Sequence, residues 1–535
     1  GLGQAAAELF VQSARQVRVG FTPAPADEPA IARICHLVEG LPVGRELAAA
    51  WVRTLCCSEI AAEIERGLDF LAQARGPRPE RHRSLRAVVD HSWVLLTEAE
   101  RQGLRRLAVF SGGFTREAAE QVAEANLAML SDLVAKSLMR RLAGGPGGRG
   151  APRYDLHELV RRYALDQLER AGEAAELRDR HLDYFLRRVD PAAAPLYSAE
   201  QADRLADWDH DLDNLRAALG WAFASPDSPG AERAGEGADP RSQPAAAERR
   251  SRGLRLAARL DRFWQGRGHV REGCGWLECG LAQPEGVPVL VRAEAYNTLG
   301  WLANQIGNVE QAQAWQAASL ALYRQAEDRT GIAAALDGLG DIAWTQDDFE
   351  NAQAHYQGSL ALRRELGDEV ATGLSLYSLG RLYVDHGQLE LARAHLREAL
   401  ARLEACQDQR GIALALNGLG RLALREGAHR LAGEHLRAAL RRFHALGNRV
   451  DIAECLEELA VVARDAGQGA RAARIWGAAE ALREAIGVPA PTGYYDVIAG
   501  VLHDRLGEAA FTTAWAEGRA WALEQAVAAA LEPAD

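Results

Sequence analysis

Four glycines stand 40 residues apart: Gly300, Gly340, Gly380 and Gly420, with Ala460 at the fifth equivalent place. The octapeptides around them, YNTLGWLA (296–303), LDGLGDIA (336–343), LYSLGRLY (376–383) and LNGLGRLA (416–423), align without gaps. Leu299, Leu339, Leu379, Leu419 and Leu459 each precede the small residue. Ala312, Ala352, Ala392, Ala432 and Ala472 follow at twelve positions on, and Ser319, Ser359, Ala399, Ala439 and Ala479 seven beyond those. A period of this length marks stacked helical pairs, none of which can bury its apolar face alone. Small side chains at fixed places let two backbones approach while larger apolar ones fill the space between layers. Glycine inside a helix costs about 1 kcal/mol relative to alanine, so four at one position demand a packing reason. Polar turns such as Ile306-Gly307-Asn308 and His386-Gly387-Gln388 join the helices.

The pattern resembles the tetratricopeptide repeat, in a version longer than usual, and the array is expected over residues 291–487. A degenerate pair, 251–290, precedes it: helices 253–265 and 270–282 flank Gly266-Arg267-Gly268, with Phe263, Trp264, Trp276 and Leu277 as candidate core. Residues 171–224 read as a helical connector and the start of the superhelix, and 488–535 as capping helices that close with Trp515, Trp521 and Leu523. Between them, 225–250 is rich in Pro, Gly, Ala, Ser and charge and reads as a flexible insertion. First-helix side chains of such arrays line a groove. The positions three before and one after each small residue then face it, namely Asn297, Asp337, Tyr377 and Asn417 with Trp301, Asp341, Arg381 and Arg421. Asp, Asn and Arg are not expected in an apolar core, so these positions are predicted to be exposed. With Trp344 they suit a peptide or a small polar ligand.

Upstream, helices are expected at Ala5–Val17, Pro29–Glu39, Pro42–Leu55 and Ser58–Leu68, followed by a Pro- and Arg-rich linker, 75–83. Helix 85–95 comes next, then one opened by Thr97 with Glu98 and Glu100 in its first turn, a sound N-terminal signal. Thr115 caps 116–125, and 127–136 follows. Short apolar strands at 138–142 and 153–156 bracket GGPGGRG (144–150). Three helices followed by a hairpin predict a winged helix over 85–170, preceded by a helical domain and linker, 28–84. The fold class is mainly α: a helical domain plus winged helix, then a tetratricopeptide-type α-solenoid.

Several segments carry a second resemblance: IARICHLVEGLPVGRELAAAWV (31–52), HRSLRAVVDHSWVLLTEAERQGLRRLAVFSGGFTREAAE (82–120), LSDLVAKSLM (130–139), RYDLHELVRRYALDQL (153–168), RAARIWGAAEALREAIG (471–487) and EAAFTTAWAEGRAWALEQAV (508–527). In wording and order they are similar to STAND-class signalling ATPases, above all the AfsR- and MalT-like bacterial transcriptional regulators and the ATPases fused to cyclases or kinases. The resemblance implies an NTPase core upstream, whose C-terminal helix would be residues 1–27. It also implies that Gly40-Leu41-Pro42 matches the motif whose proline lies against adenine, and that His157 matches the winged-helix histidine touching the ADP β-phosphate. Val43 and Gly44-Arg45 depart from that motif, placing arginine where an apolar residue is usual.

The residues themselves exclude much. A phosphate-binding loop needs GxxxxGK(S/T), because backbone amides cradle the phosphates while lysine reaches the outer oxygens. Lys136 is the only lysine and sits at a helix end, and the glycine run 144–150 reads as a wing. The chain is therefore expected not to hydrolyse ATP, and to hold no cofactor alone; ADP or ATP with Mg is implied for a longer protein. His157-Glu158 lacks the second histidine of HExxH, and seven scattered cysteines without a CxxC pair favour neither zinc nor disulfides. No catalytic grouping and no metal site can be assembled. The net charge of −12 disfavours nucleic acid and anionic membranes. The recognition-helix segment 127–136 offers only Asp132 and Lys136 as charges, so direct DNA contact is not expected, and Arg75, Arg78, Arg81, Arg83 and Arg86 read as a solvated linker. No run of about 20 apolar residues exists, and no signal pattern opens the chain, so a cytoplasmic setting is expected. The chain opens on Gly1 rather than Met, so further N-terminal sequence is expected.

The expected function is the regulatory and sensing portion of a STAND-type ATPase that controls transcription. A protein or small-molecule inducer would bind the repeat groove, and the resemblance implies ATP-dependent homo-oligomers and an effector domain. The alternative is a stand-alone repeat adaptor or co-chaperone scaffold.

Overall fold

The computed structural model describes residues 2–18, 21–24, 27–37, 48–49, 51–66, 85–142, 152–190, 201–224, 242–489 and 494–533. The chain divides into two compact units, Gly1–Tyr184 with His210–Ala218, and Phe185–Asp209 with Leu219–Asp535.

The first unit begins with α1 (Leu2–Val17), α2 (Glu28–Leu37), a 3-10 turn at Trp51–Arg53 and α3 (Cys57–Arg66). Phe10, Ile34, Ile60 and Ile64 are fully buried among them. Half of the helix expected from Pro42 to Leu55 lies outside the described residues; of the rest, Ala48 and Ala49 are helical and Trp51–Arg53 form the 3-10 turn. Helix α4 (Leu85–Val94) leads to α5 (Glu98–Leu107), β1 (Phe114–Thr115), α6 (Arg116–Ala123), α7 (Leu127–Ala135), β2 (Met139–Leu142), β3 (Arg153–Leu156) and α8 (Glu158–Arg170). This is the predicted winged helix. Thr97 and Glu100 form a reciprocal capping box: the Thr97 amide donates to the Glu100 carboxylate at 2.8 Å, and Thr97 Oγ1 accepts from the Glu100 amide at 3.3 Å. Thr115 caps α6, as expected. The expected hairpin gains a third strand the sequence reading missed, because β1 is only two residues long. All pairs are antiparallel, in the order β1-β3-β2, with Phe114 opposite Tyr154 and Met139 opposite Leu156. The glycine run 144–150 lies outside the described residues.

Two further helices, α9 (Ala174–Arg188) and α10 (Gln201–Ala222), each contribute to both units. In the first unit, Asn214 is wholly buried and clamps the loop before β1: its Oδ1 accepts from the Ser111 amide at 2.8 Å, and its Nδ2 donates to the Gly113 carbonyl at 2.8 Å. The buried His181 ring lies 3.3 Å from the same Asn214 oxygen. Burial pushes its pKa down to about 4, so it stays neutral.

The second unit holds α11 (Ser242–Arg259), α12 (Asp261–Arg267) and α13 (Val270–Leu281). Two expectations are corrected here. Residues 242–250, taken as part of a flexible insertion, are helical; Ala245 to Ala247 with Glu248 and Arg249 are strong helix formers, and Pro244 falls in the first turn, where it is tolerated. Arg249 also lies over the Trp221 ring, 4.5 Å from its centroid. Residues 225–241 lie outside the described residues. The single helix expected over 253–265 is broken at Leu260, where the Trp264 indole N–H takes the Ala257 carbonyl at 2.9 Å in place of a helical amide.

The array follows as five pairs. First helices are α14 (Val289–Gln305), α16 (Arg329–Thr345), α18 (Glu369–Asp385), α20 (Gln409–Arg425) and α22 (Arg449–Asp465). Second helices, alternating with them, are α15 (Val309–Gln325), α17 (Phe349–Leu366), α19 (Leu389–Ala405), α21 (His429–Leu446) and α23 (Gly469–Ile486). The four periodic glycines lie at equivalent crossings within each pair. A Cβ added at Gly300, Gly340, Gly380 or Gly420 would come within 2.7, 2.6, 2.6 and 2.6 Å of Gln316, Tyr356, Leu396 and Leu436, one equivalent residue on each second helix. The small residues at the other two periodic positions, from Ala312 and Ser319 to Ala472 and Ala479, are fully buried. A further regularity escaped the sequence reading. A residue with left-handed backbone follows every helix of the array at a 20-residue step, among them Gly307, Glu327, Asp347, Gly367 and Gln407. Helices α24 (Tyr494–Leu506), α25 (Glu508–Arg519) and α26 (Leu523–Leu531) complete the unit, with Trp515, Trp521 and Leu523 packed on its core. Among the described residues no helix is long and apolar enough to cross a membrane.

Candidate functional site: the first-helix row

The nine predicted groove residues do fall on one row of first helices, but they are not free side chains facing solvent. Tyr377 and Asn417 are buried, at 6% and 2% exposed, and the other seven are half-buried. That expectation is corrected. Polar groups are tolerated here because they satisfy one another across the repeat step.

Asp341 is the hub. Its carboxylate accepts from Trp301 Nε1 at 2.9 Å, from the Tyr356 hydroxyl at 2.6 Å and from Arg381 Nη2 at 2.9 Å. The Arg381 guanidinium lies 4.0 Å from the Trp344 ring centroid and 5.7 Å from that of Tyr377, so its flat face is covered by aromatic surface. Trp344 Nε1 in turn donates to Asp385 at 2.9 Å, and Asp385 accepts from Arg421 Nη2 at 2.9 Å. Arg421 also pairs with Glu454 and Glu458 of α22, at 3.4 and 3.5 Å. The charges therefore alternate along the row, from Asp341 through Arg381, Asp385 and Arg421 to the glutamates. Three positions stand aside from this ladder. Asn297 accepts from Gln316 Nε2 at 3.0 Å; Asp337 is paired with Arg363 and accepts from Ser375 at 3.3 Å; Asn417 reaches Cys455 Sγ at 3.4 Å. Burial raises the Asp337 carboxyl above the ordinary range, and the same cause raises the Tyr377 and Tyr356 hydroxyls. At the end of the row, burial pushes Asp451 up to about 6, although Arg410 stands 3.6 Å away.

Asp385, Tyr356, Glu454 and Glu458 belong to the ladder and escaped the sequence reading. Trp301 to Asp341 and Asp341 to Arg381 each span 40 residues, so equivalent positions in adjacent repeats are spatial neighbours. Pairing across the period links only residues already predicted; the missed acids stand off it, Asp385 being 41 residues from Trp344 and 36 from Arg421.

In the first unit, His157 is half-buried at the N-terminal boundary of α8 and its side chain does not cap that helix. Against the raising effect of burial, Arg161 and Arg162, each 2.8 Å away, hold Glu158 below the usual carboxylate range. Lys136 donates to Glu100 of the capping box at 2.5 Å, a structural use that fits its expected place at a helix end. Pro42 and the arginines 75, 78, 81 and 83 lie outside the described residues, as does the side chain of Arg86. Among the described residues there is no cluster of His, Cys, Asp and Glu able to hold a metal.

Comparison with known proteins follows the same division. A tetratricopeptide repeat family model matches residues 291–357 and 331–405, and a winged helix-turn-helix domain model matches 96–169. A Mycobacterium tuberculosis protein provisionally named as an HTH-type transcriptional regulator is 33% identical over 350 residues, covering 63% of this chain and 36% of the relative. An uncharacterized protein of the same species is 36% identical over 177 residues, 32% of this chain and 44% of the relative. The chain thus spans about a third of the length of the first of these relatives. Among solved structures, a Signal Transduction ATPase with Numerous Domains (STAND) protein with a tetratricopeptide repeat sensor from Pyrococcus horikoshii is similar, at 16% identity and a TM-score of 0.40, over 98% of this chain and 73% of that one. A Rap protein crystallised with competence and sporulation factor has 14% identity and a TM-score of 0.40, over 62% and 88%. The chain carries a winged helix-turn-helix domain and tetratricopeptide repeats.

Proposed function

We propose that this chain is the sensing and regulatory portion of a STAND-type signal-transduction ATPase that controls transcription. The relatives support a regulatory role. The observation that carries the finer reading is the alternating Asp341–Arg381–Asp385–Arg421 ladder with Trp301, Trp344 and Tyr377 on one row of first helices. Such a row offers a peptide or small polar inducer both charges and flat apolar faces, and a ligand must exchange existing ion pairs to bind. It would shift the protein only if it favours one arrangement of the repeats over another. In the complete protein, Pro42 and His157 would contact ADP or ATP, with Mg, held by an NTPase core, and this chain would contribute no hydrolysis.

RNA profiling of a strain lacking the gene tests the regulatory reading. A defined set of transcripts should change, and the wild-type gene should restore it. An allele carrying Arg381→Ala and Arg421→Ala should restore it poorly at equal protein level. An unchanged profile would favour an adaptor without transcriptional role. Separately, the purified chain should turn over no ATP above buffer.

A further inference from the structure

Ahead of the repeats, α12 lies against α22 of the last one, and α26 packs beside α21 and α22. Where these helices meet, a cleft of about 330 Å³ opens. It shares no residue with the first-helix row. Six of its eight lining residues are ionisable, so it suits a small polar molecule rather than an apolar one. Arg267 is its fixed point, with 13% of the side chain exposed. Nη1 donates to the carbonyls of Leu446 and Gly447, 2.9 Å each, at the C-terminal end of α21. Nε stands 2.7 Å from Asp209 Oδ2. These contacts hold the guanidinium in one orientation and neutralise Asp209, while Nη2 has no partner among the described residues.

Further donors line the same cleft. Arg449, the first residue of α22, and His444, in the last turn of α21, are exposed and have no side-chain partner among the described residues. Helix α26 starts at Leu523 on the cleft wall, and its N-cap Ala522 has no side chain able to bond the first amides. Against these stands one unpaired acid, the exposed Glu524. The balance favours an oxyanion. A guanidinium fork already held in place loses little freedom when it binds one, and its parallel N–H groups match the geometry of carboxylate and phosphate.

We propose that this cleft is a binding site for a small molecule carrying a phosphate or carboxylate group, held by Arg267, Arg449 and His444. The site is separate from the inducer reading of the first-helix row and stands if that reading fails. Isothermal titration calorimetry on the full chain at low ionic strength tests it, with inorganic phosphate and succinate as probes. At least one should bind with a Kd on the order of 1 mM, and the tighter of the two names the group. Arg449→Ala removes an exposed side chain without partners, so the fold stays intact, and should weaken binding about tenfold. Glu524→Gln removes the opposing charge and should tighten binding about threefold. Arg430→Ala, at an exposed arginine in the first turn of α21 that does not line the cleft, should change nothing. Absence of binding by both probes would overturn the site. So would an equal loss in Arg430→Ala, unchanged binding in Arg449→Ala, or weaker binding in Glu524→Gln.

Discussion

The repeat array and the winged-helix unit are both helical, but they are held in different ways. In the array one contact recurs: a glycine or alanine of the first helix against an equivalent side chain of the second, with polar ladders tying one first helix to the next. In the winged-helix unit the decisive contacts occur once, such as Asn214 clamping the loop at Ser111 and Gly113, or Lys136 bonded to the capping box. Recurrent contacts spread stability over many equivalent sites; single ones concentrate it.

The sharpest break in this comparison comes from overfilling a crossing. Gly380→Leu forces side-chain atoms into Leu396 and should destabilise the array by about 3 kcal/mol. Gly358→Ala, at a helical glycine whose Cβ would meet only ordinary contact at 3.4 Å, should instead stabilise by up to about 1 kcal/mol. Urea unfolding followed by circular dichroism reads both signs. Asn214→Ala leaves the Ser111 amide and Gly113 carbonyl unpaired and should weaken the winged-helix unit by about 2 kcal/mol. Exchange in 96–169 should rise while 329–405 stays protected.

Acidification should separate the two units with opposite signs. The folded His181 pKa, about 4, lies below its ordinary 6.5. Its contribution is therefore present above 6.5 and lost as pH falls toward 4, at about 1.4 kcal/mol per pH unit. Glu100 and Glu158, both held below the carboxylate range, add losses of the same sign. In the second unit Asp451 is raised to about 6, and burial raises Asp337, Asp261 and Glu294 as well. Protonating these favours the fold as pH falls, offset in part by half-buried His355 and His435, whose pKa values are lowered. Segment-resolved exchange between pH 7 and 5 should show the winged-helix unit loosening more than the array. The smallest effect concerns the turns: Glu327→Gly relieves a left-handed backbone (φ 55) and should gain about 0.5 kcal/mol in thermal unfolding.

Legibility in the sequence follows the same divide. Period, helix pairs, both caps and the hairpin were readable because each is a local or repeated signal, as Gly300 to Gly420, Thr97 and Thr115 illustrate. The two-residue strand β1 was not, since its pairing with β3 joins residues about forty apart and leaves no alternation to detect. The groove residues were correctly placed on one row, but wrongly read as exposed. A single Asp or Arg suggests solvent, and only its partner one period away reveals that it is paired. The helix beginning at Ser242 was hidden by a neighbouring tract of similar composition.

The account depends most on the ladder being a joined structure rather than a set of solvated side chains. A double-mutant cycle on Asp341→Asn and Arg381→Met, read by urea unfolding, measures that directly. A coupling of about 1 kcal/mol is expected, since each change alone strands the other partner. Strictly additive effects, with coupling below about 0.3 kcal/mol, would contradict it.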